Sequence, residues 1–337
     1  MELLPKHIHA AELYGDFWYN SDPVSLRALR GYVVLLDFWD YTSVYCARTL
    51  PYVQEWHRKY REFGLVVIGV HTPRFQFGKK PEEVEQAIRE RGIEYPVVMD
   101  NEALIWTAYA SRDWPTKFLI DKDGFIRYRH QGEGAYEQLE RAIQMLLSEA
   151  GVRGELPELT EPFRDTDRSG AVCFRQTSEI QLGYLRGTIG NVEGFSPEST
   201  VGYTDPGVYL PERFYVHGSW RNQRECLQFQ GNEEGYVTFR YEALEVNAVL
   251  SAAENERSEF IVEQDDMMLN EENKGDDILL TAQGTSVLTV TRPRMYSIIK
   301  NKEFGSHLVR LRTTSSQVSV YSFSFITSAI PELITKN

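Results

Sequence analysis

The stretch that decides the fold is YVVLLDFWDYTSVYCARTLP, residues 32–51. Its first part, YVVLLDFW, is a run of β-branched and aromatic residues, which is typical of a strand buried on both faces. Its second part opens a helical pattern, in which apolar residues recur every three to four positions until Gly64, a residue that favours a helix end. The sequence therefore predicts a strand followed directly by a helix, with Ser43 and Cys46 at the junction.

Strands and helices continue to alternate after this junction. LVVIGVHTP predicts a second buried strand at 65–73, and PEEVEQAIRERG has the proline start and glycine end of a helix. Further strands are predicted at 95–100 and 116–130, and further helices near 104–109 and at 136–151. This alternation predicts an α/β domain over residues 1–151, with a central mixed sheet that helices cover on both faces.

The rest of the chain has a different pattern. Residues 152–174 are rich in proline, glycine and charge, and we expect them to form a linker. From 175 to 337, short runs of alternating polar and apolar residues, among them 236–243 and 246–252, are separated by turn residues. This pattern predicts an all-β sandwich, with most aromatic residues between 203 and 220 in its core.

The composition indicates a globular protein of two domains, because 337 residues are too many for one ordinary core and 42% of them are hydrophobic. The net charge of −13 argues against nucleic acid or an anionic membrane as the main partner, since either would require a basic face. There is no apolar run of about 18 residues and no signal-peptide pattern. We therefore expect no membrane segment in this chain and a cytoplasmic location, or an extracytoplasmic one if the sequence is a truncated or processed form.

Three cysteines, Cys46, Cys173 and Cys226, are too few for a disulfide framework. The last two can pair in an oxidising compartment, but isolated cysteines are more often small buried apolar residues.

Several features together resemble the thioredoxin fold: the buried strand, a cysteine at the start of the next helix, Pro51 five residues later, and Trp114-Pro115 before the strand KFLID. Residues 20–73 are similar to the TlpA/DipZ-like branch of thioredoxin-like (redoxin) proteins. QTSEIQLGYLRG, VHGSW and VYSFSF resemble the β-sandwich that follows the thioredoxin domain in DipZ-type proteins. The architecture of that second domain is similar to jelly-roll carbohydrate-binding modules, so the resemblance makes carbohydrate a candidate ligand there.

In this family, a Cys-x-x-Cys motif performs thiol–disulfide exchange. The first cysteine attacks as a thiolate stabilised by the helix N-terminus, and the second resolves the mixed disulfide. This chain has Ser43 at the first position and Cys46 at the second. The resemblance therefore implies a thiol–disulfide oxidoreductase with a degenerate Ser-x-x-Cys site, in which dithiol exchange is weak or absent. A serine there is also a good helix cap.

The resemblance assigns roles to further residues. Asp37 matches the buried carboxylate that relays a proton to the second cysteine. Pro115 matches a proline that is cis in the family and faces the active-site thiols. Trp39, Tyr45 and Trp114 are expected to line the groove that binds a peptide partner carrying thiols or disulfides.

Two alternatives remain open at this stage. The first is a binding module for peptide or carbohydrate without redox chemistry. The second is a single-cysteine peroxidase, because Ser43 and Cys46 have the Thr-x-x-Cys spacing of peroxiredoxins. Trp39 stands where peroxiredoxins have a proline and Pro115 where they have an arginine, although Arg112 is close in sequence. We expect no cofactor in any of these cases.

No metal site is expected. His7 and His9 form an HxH pair without a third ligand, and surface exposure is the simpler interpretation. His71 follows the strand VVIGV and is expected at a strand end on or near the active-site side; without a partner, such a histidine is more often a loop residue hydrogen-bonded to backbone. The acidic segment 251–280, with Asp265-Asp266 and Asp276-Asp277, lacks the spacing of a calcium loop and is expected to be a solvated loop.

Overall fold

The computed structural model describes residues 3–254 and 256–333. The chain forms two compact units, which divide between Gly170 and Ala171. No helix within the described ranges is long and apolar enough to cross a membrane.

The first unit consists of β1 (Trp18–Tyr19), β2 (Val33–Trp39), α1 (Val44–Tyr60), β3 (Leu65–His71), α2 (Pro81–Glu90), β4 (Val97–Met99), α3 (Leu104–Ala108), β5 (Thr116–Ile120), β6 (Ile126–Gln131) and α4 (Tyr136–Ala150). Its strands form one mixed sheet in the order β1-β4-β3-β2-β5-β6. The neighbours β2, β3 and β4 are parallel, and the other pairings are antiparallel. The predicted thioredoxin fold is confirmed.

The two faces of β2 pack against different helices, because successive side chains of a strand point to opposite sides. Its odd-numbered apolar residues pack with α1, α2 and α4, and its even-numbered residues pack with α3. This register places Asp37 on the α1 side of the sheet, where Cys46 also lies.

Helix α1 ends where the sequence predicts. Its last turn passes into a 3₁₀ turn at Arg61–Phe63, followed by Gly64 with a φ of 97°. Only glycine adopts this left-handed conformation at little cost. In the middle of the helix, Trp56 is completely buried, and truncating a side chain of this size costs about 3–5 kcal/mol.

Much of the expected linker at 152–174 packs against the first unit. We call residues 157–168 the strap. Glu140 of α4 is 1% exposed and accepts hydrogen bonds from Lys59 Nζ and from the backbone N–H of Thr160 in the strap, each at 2.8 Å. A buried carboxylate with charged and neutral donors holds this segment along α1.

The second unit consists of β7 (Ile180–Gln181), β8 (Thr200–Tyr203), β9 (Tyr215–Asn222), β10 (Leu227–Phe229), β11 (Gly235–Ser251), β12 (Ser258–Gln264), β13 (Met267–Met268), β14 (Ile278–Leu280), β15 (Ser286–Val290), β16 (Arg294–Thr313) and β17 (Ser319–Ile326). These strands form one antiparallel sheet, in the order β14-β15-β12-β16-β11-β17-β10-β9-β8. In addition, β13 pairs with β12 and β7 pairs with β17. The predicted all-β class of this unit is confirmed.

Two strands are longer than the sequence pattern indicates. Runs that read as separate strands at 236–243 and 246–252 are joined in β11, and β16 joins two further runs. The register between β11 and β16 shifts between Ala243 and Glu245. A bulge interrupts the alternation of polar and apolar residues without ending the strand. The sequence pattern therefore shows a break at a position where the strand continues.

Most of the aromatic residues singled out between 203 and 220 lie in the core of the second unit, as predicted. Tyr203, Phe214, Tyr215 and Trp220 are at most 3% exposed. These four rings are therefore not available to stack on a sugar. Cys226 is also buried and is a thiol, whose Sγ lies 3.2 Å from Gln223 Oε1.

Candidate active site

The turn between β2 and α1 carries the Ser-x-x-Cys motif and is organised by Asp40. This aspartate is 1% exposed. Its Oδ1 accepts hydrogen bonds from Thr42 N at 2.7 Å and from the Thr42 hydroxyl, and its backbone carbonyl accepts from Ser43 N at 3.2 Å. Its Oδ2 accepts from the backbone N–H of Arg74 at 3.1 Å. Asp40 thus ties the turn to the loop that follows β3.

Ser43 caps α1, and Cys46 lies in the first turn beneath it. The Ser43 hydroxyl accepts a hydrogen bond from Cys46 N at 3.3 Å. Ser43 is 1% exposed and Cys46 is 4% exposed. Burial raises the pKa of the Cys46 thiol to about 12, and the negative charge of Asp37 acts in the same direction. The thiol is therefore protonated at neutral pH.

Asp37 lies on the α1 side of β2 and pairs with a buried lysine on the neighbouring strand. Lys117 Nζ is 3.3 Å from Asp37 Oδ1, and both side chains are almost fully buried. Burial raises the pKa of Asp37, and Lys117 offsets part of this effect. Tyr95, 1% exposed, adds a phenol whose hydroxyl has no hydrogen-bond partner among the described residues. Arg91 donates to the Tyr41 carbonyl, with its guanidinium 5.9 Å from the ring centroid of Trp39.

His71 is the last residue of β3, at the expected strand end, but it is completely buried, so the expectation of a loop histidine bonded to backbone is wrong. Its ring stacks on Tyr41 at 5.6 Å, and its Nε2 lies 3.6 Å from Asp40 Oδ2. Neither ring nitrogen has a hydrogen-bond partner within the described part of the chain. Burial lowers the pKa of His71 to about 4, although Asp40 opposes this effect. The imidazole is therefore neutral at pH 7.

Trp114 and Pro115 precede β5 at the same end of the sheet as the Ser43 turn, since Thr116 of β5 pairs with Phe38 of β2. The Trp114-Pro115 peptide bond is cis, as the resemblance implies. Trp114 is half-buried; its Nε1 donates to the Thr72 carbonyl at 2.9 Å, and its ring stacks on Trp106 at 4.2 Å.

The other two expected groove residues differ in exposure. Tyr45 is half-buried near the start of α1. Trp39 is 3% exposed and packs edge-on against His71 at 5.2 Å. Trp39 therefore lies below the surface, where it supports the turn. Arg112, the candidate arginine of a peroxidase, is exposed in the loop before Trp114.

Sequence reasoning missed Asp40, Arg91 and Lys117. A lysine inside the otherwise apolar strand KFLID is a signal that a buried partner exists, and Asp37 is that partner. Asp40 and Arg91 carry no such signal, because a polar residue after a strand or at a helix end is ordinarily solvated.

Several of the histidines and aspartates considered as metal ligands have other partners. In residues 3–254 and 256–333, no group of three His, Cys, Asp or Glu side chains is arranged to hold a metal ion. His9 stacks on Phe125 at 3.9 Å. The expectation of a solvated loop at 251–280 is wrong, because this segment contains β12, β13 and β14. Its acidic residues pair instead: Asp277 with Arg294 at 2.6 Å and Asp276 with Lys300 at 2.6 Å.

The fold and the motif at the start of α1 define a thioredoxin-like protein. Residues 14–129 match the AhpC/TSA family, and residues 177–325 match the family described as a thioredoxin-like C-terminal domain.

Curated relatives match both parts of the chain. The chain is 33% identical over 236 residues to protein DipZ of Mycobacterium tuberculosis, an alignment that covers 69% of this chain and 33% of that protein. It is 31% identical over 123 residues to the thiol-disulfide oxidoreductase ResA of Bacillus cereus, covering 36% of this chain and 68% of ResA. Among solved structures, a thiol-disulfide isomerase from Corynebacterium glutamicum is 28% identical, with a TM-score of 0.38 and coverage of 41% of this chain and 97% of that one.

The chain spans about a third of the length of the DipZ proteins that it matches. It belongs to the TlpA/DipZ-like family of thioredoxin-like thiol–disulfide oxidoreductases.

Proposed function

We propose that the first unit binds protein thiols or disulfides at a degenerate Ser-x-x-Cys site and does not complete dithiol–disulfide exchange. The observation that carries this proposal is the start of α1, where Ser43 is the helix cap and the Cys46 thiol is 4% exposed. The relative ResA is named a thiol-disulfide oxidoreductase, which supports a protein thiol or disulfide as the partner.

Dithiol exchange requires two sulfur atoms. A thiolate attacks a disulfide, a mixed disulfide forms, and a second thiol displaces the partner. The Ser43 hydroxyl cannot form a disulfide. With a pKa of about 12, Cys46 is a thiolate in only ~10⁻⁵ of molecules at pH 7. The other two cysteines lie in the second unit.

The geometry also disfavours Ser43 as a nucleophile. A serine attacks when a neighbouring base takes its proton. The imidazole of His71, which faces Asp40, has no hydrogen bond from either ring nitrogen to any described residue. The Ser43 hydroxyl instead accepts from Cys46 N. A structural role as a cap accounts for this serine.

A candidate binding surface, which we call the Trp114 edge, lies at the same end of the sheet as this unreactive start of α1. Trp114 is held by Thr72 and Trp106 and keeps part of its ring exposed. A rigid, partly exposed aromatic side chain at a strand end suits an extended protein segment, which can pack on the ring and pair with the backbone.

Reduction of insulin by dithiothreitol tests the chemical part of this proposal. We expect the wild type and Cys46→Ala to be equal and no faster than buffer, while Ser43→Cys, which restores two thiols, gives turnover. Cys226→Ala is the matched control, because it removes a buried thiol of similar pKa in the second unit. Faster reduction by the wild type than by Cys46→Ala would show that the proposal is wrong.

Fluorescence anisotropy with a labelled, unfolded peptide containing cysteine tests the binding part. We expect Trp114→Ala to weaken binding, whereas Trp18→Ala, which changes a half-buried tryptophan of β1, leaves it unchanged. Equal binding by both variants would exclude the Trp114 edge as the binding site.

The match of residues 14–129 to the AhpC/TSA family favours a second candidate, a single-cysteine peroxidase acting through Cys46. Peroxide would oxidise the thiolate to a sulfenic acid and leave as water or an alcohol. The burial and high pKa of Cys46 oppose this reaction. Trapping of a sulfenic acid at Cys46 within seconds of adding micromolar peroxide would support it, and an untouched thiol would exclude it.

A further inference from the structure

Asp40 differs from the other acidic residues near the motif in how it is held. Its carboxylate accepts from two backbone N–H groups, those of Thr42 and Arg74, and from one hydroxyl. All three donors are neutral groups. Hydrogen bonds from such donors compensate a buried carboxylate for the water that it loses on folding.

Asp40 also fixes the position of the residue that begins α1. Its side chain closes the two-residue turn to Thr42, and its carbonyl accepts from Ser43 N. Ser43 then caps the helix. The carboxylate therefore lies three residues before the amino end of α1, where the helix dipole places partial positive charge.

Charged and titratable groups face this end of α1 from each element packed around it. They are Asp37 and Asp40 from β2 and the turn after it, His71 from β3, Arg74 from the loop after β3, Arg91 and Tyr95 from the segment between α2 and β4, Lys117 from β5, and Arg48 with Glu133 further along the helix. Lys117 pairs with Asp37. The imidazole that faces Asp40 is neutral at pH 7. The buried Arg91 guanidinium interacts electrostatically with both Asp40 and Cys46. Burial, Asp37 and, more weakly, Asp40 raise the pKa of the Cys46 thiol, so the Asp40 carboxylate acts on the first turn of α1.

We propose that Asp40 is a positioning residue that commits this site to a serine: it holds the turn that carries residue 43, and its charge keeps a thiol at the amino end of α1 protonated. In the family's Cys-x-x-Cys sites the positive helix end stabilises a thiolate, whereas here a buried carboxylate in the turn before that end opposes a second negative charge. This inference rests on the proposed function, since it explains why the Ser43 site is unreactive. It also implies that a cysteine restored at position 43 reacts more slowly in the presence of Asp40 than it does when Asp40 is neutralised.

The test measures the ionisation of a cysteine placed at position 43. Ser43→Cys/Cys46→Ala is the reference, because it has one thiol in the motif and cannot form a disulfide there. The pH midpoint of alkylation of residue 43 by iodoacetamide is followed by peptide mass spectrometry. Adding Asp40→Asn should lower the midpoint by about one pH unit. The initial alkylation rate at pH 7 should rise about tenfold, since one pKa unit is a tenfold change in the fraction of thiolate.

Two controls separate charge from geometry. Thr42→Val in the same reference removes a hydrogen bond from the turn and keeps the Asp40 charge, so the midpoint should not fall. Asp113→Asn neutralises an exposed carboxylate just before Trp114, and the midpoint should again stay in place. An unchanged midpoint with Asp40→Asn, or an equal fall with Thr42→Val, overturns the proposal. If the Asp40→Asn form does not fold, Asp40→Thr gives the same comparison, because threonine is uncharged and its hydroxyl can accept from Thr42 N.

This measurement uses no protein substrate. The insulin and peptide assays can therefore fail while the midpoint shift is found, and the shift can be missing while those assays succeed. Failure of the Asp40 inference is thus distinguishable from failure of the proposed function.

Discussion

Acid should destabilise the first unit through His71. In the folded protein its pKa is about 4, because the ring is completely buried, whereas 6.5 is the ordinary value in an unfolded chain. Since the folded pKa is lowered, stability is full above pH 6.5 and is lost as the pH falls towards 4. At 1.36 kcal/mol per pKa unit, the difference corresponds to a loss of about 2 kcal/mol by pH 5 and about 3 kcal/mol at pH 4 and below. His71→Gln, which does not titrate in this range, should lack this loss.

Urea unfolding at pH 7.5, 6, 5 and 4, followed by tryptophan fluorescence, measures this difference. Five of the six tryptophans lie before residue 171, so the signal reports mainly on the first unit. His7→Gln is the matched control, because it removes an exposed imidazole and should keep the pH dependence of the wild type. If the wild type and His71→Gln lose stability in parallel between pH 7.5 and 4, the imidazole is not excluded from water as the structure indicates, and the reasoning is refuted.

Three further predictions follow from burial. Cys46 should react with iodoacetamide at pH 8 far more slowly than the half-buried Cys173 and should reach the rate of Cys173 in 6 M guanidinium; equal rates in the folded protein would contradict the assigned burial. Glu140→Ala should cost about 3–5 kcal/mol in urea unfolding because it leaves Lys59 without its buried partner, whereas the same change at Glu137, whose side chain is 44% exposed, should cost under about 1 kcal/mol. Trp220→Ala should cost the second unit about 3–5 kcal/mol by calorimetry, and a loss below 1 kcal/mol would show that this ring is not in the core.

The parts of the fold that the sequence predicts are those in which neighbouring residues carry the information. A continuous apolar run followed by a helical period defines β2 and α1, and Gly64 defines the end of that helix. The alternation of strands and helices then leaves few topologies, because parallel strands need helical crossovers. Ser43 as a helix cap follows from the same local information.

The parts that the sequence did not predict depend on contacts between distant residues or on irregular pairing. His71 and Arg91 come to the turn at Asp40 from other elements, and their local sequence does not indicate which residues they contact there. The strap is polar and rich in proline, so it reads as a linker, yet Glu140 fixes it to α1 through Lys59 and Thr160. In the second unit, a bulge in β11 breaks the alternating pattern in the middle of a strand.

The start of a helix can be used in two ways, and this chain uses the one that favours stability. The unpaired N–H groups there can stabilise a thiolate, or they can be satisfied by a neutral cap. Ser43 provides the cap, which is worth about 1 kcal/mol. A carboxylate near the same end adds roughly 0.3–1 kcal/mol through the helix dipole. Both contributions require that no sulfur anion competes for this end of α1, and the 1% exposure of Ser43 and Asp40 would make such an anion costly to bury. A serine at position 43 and a charged residue at position 40 are therefore mutually consistent choices, and each weakens the physical basis for a reactive cysteine at this helix end.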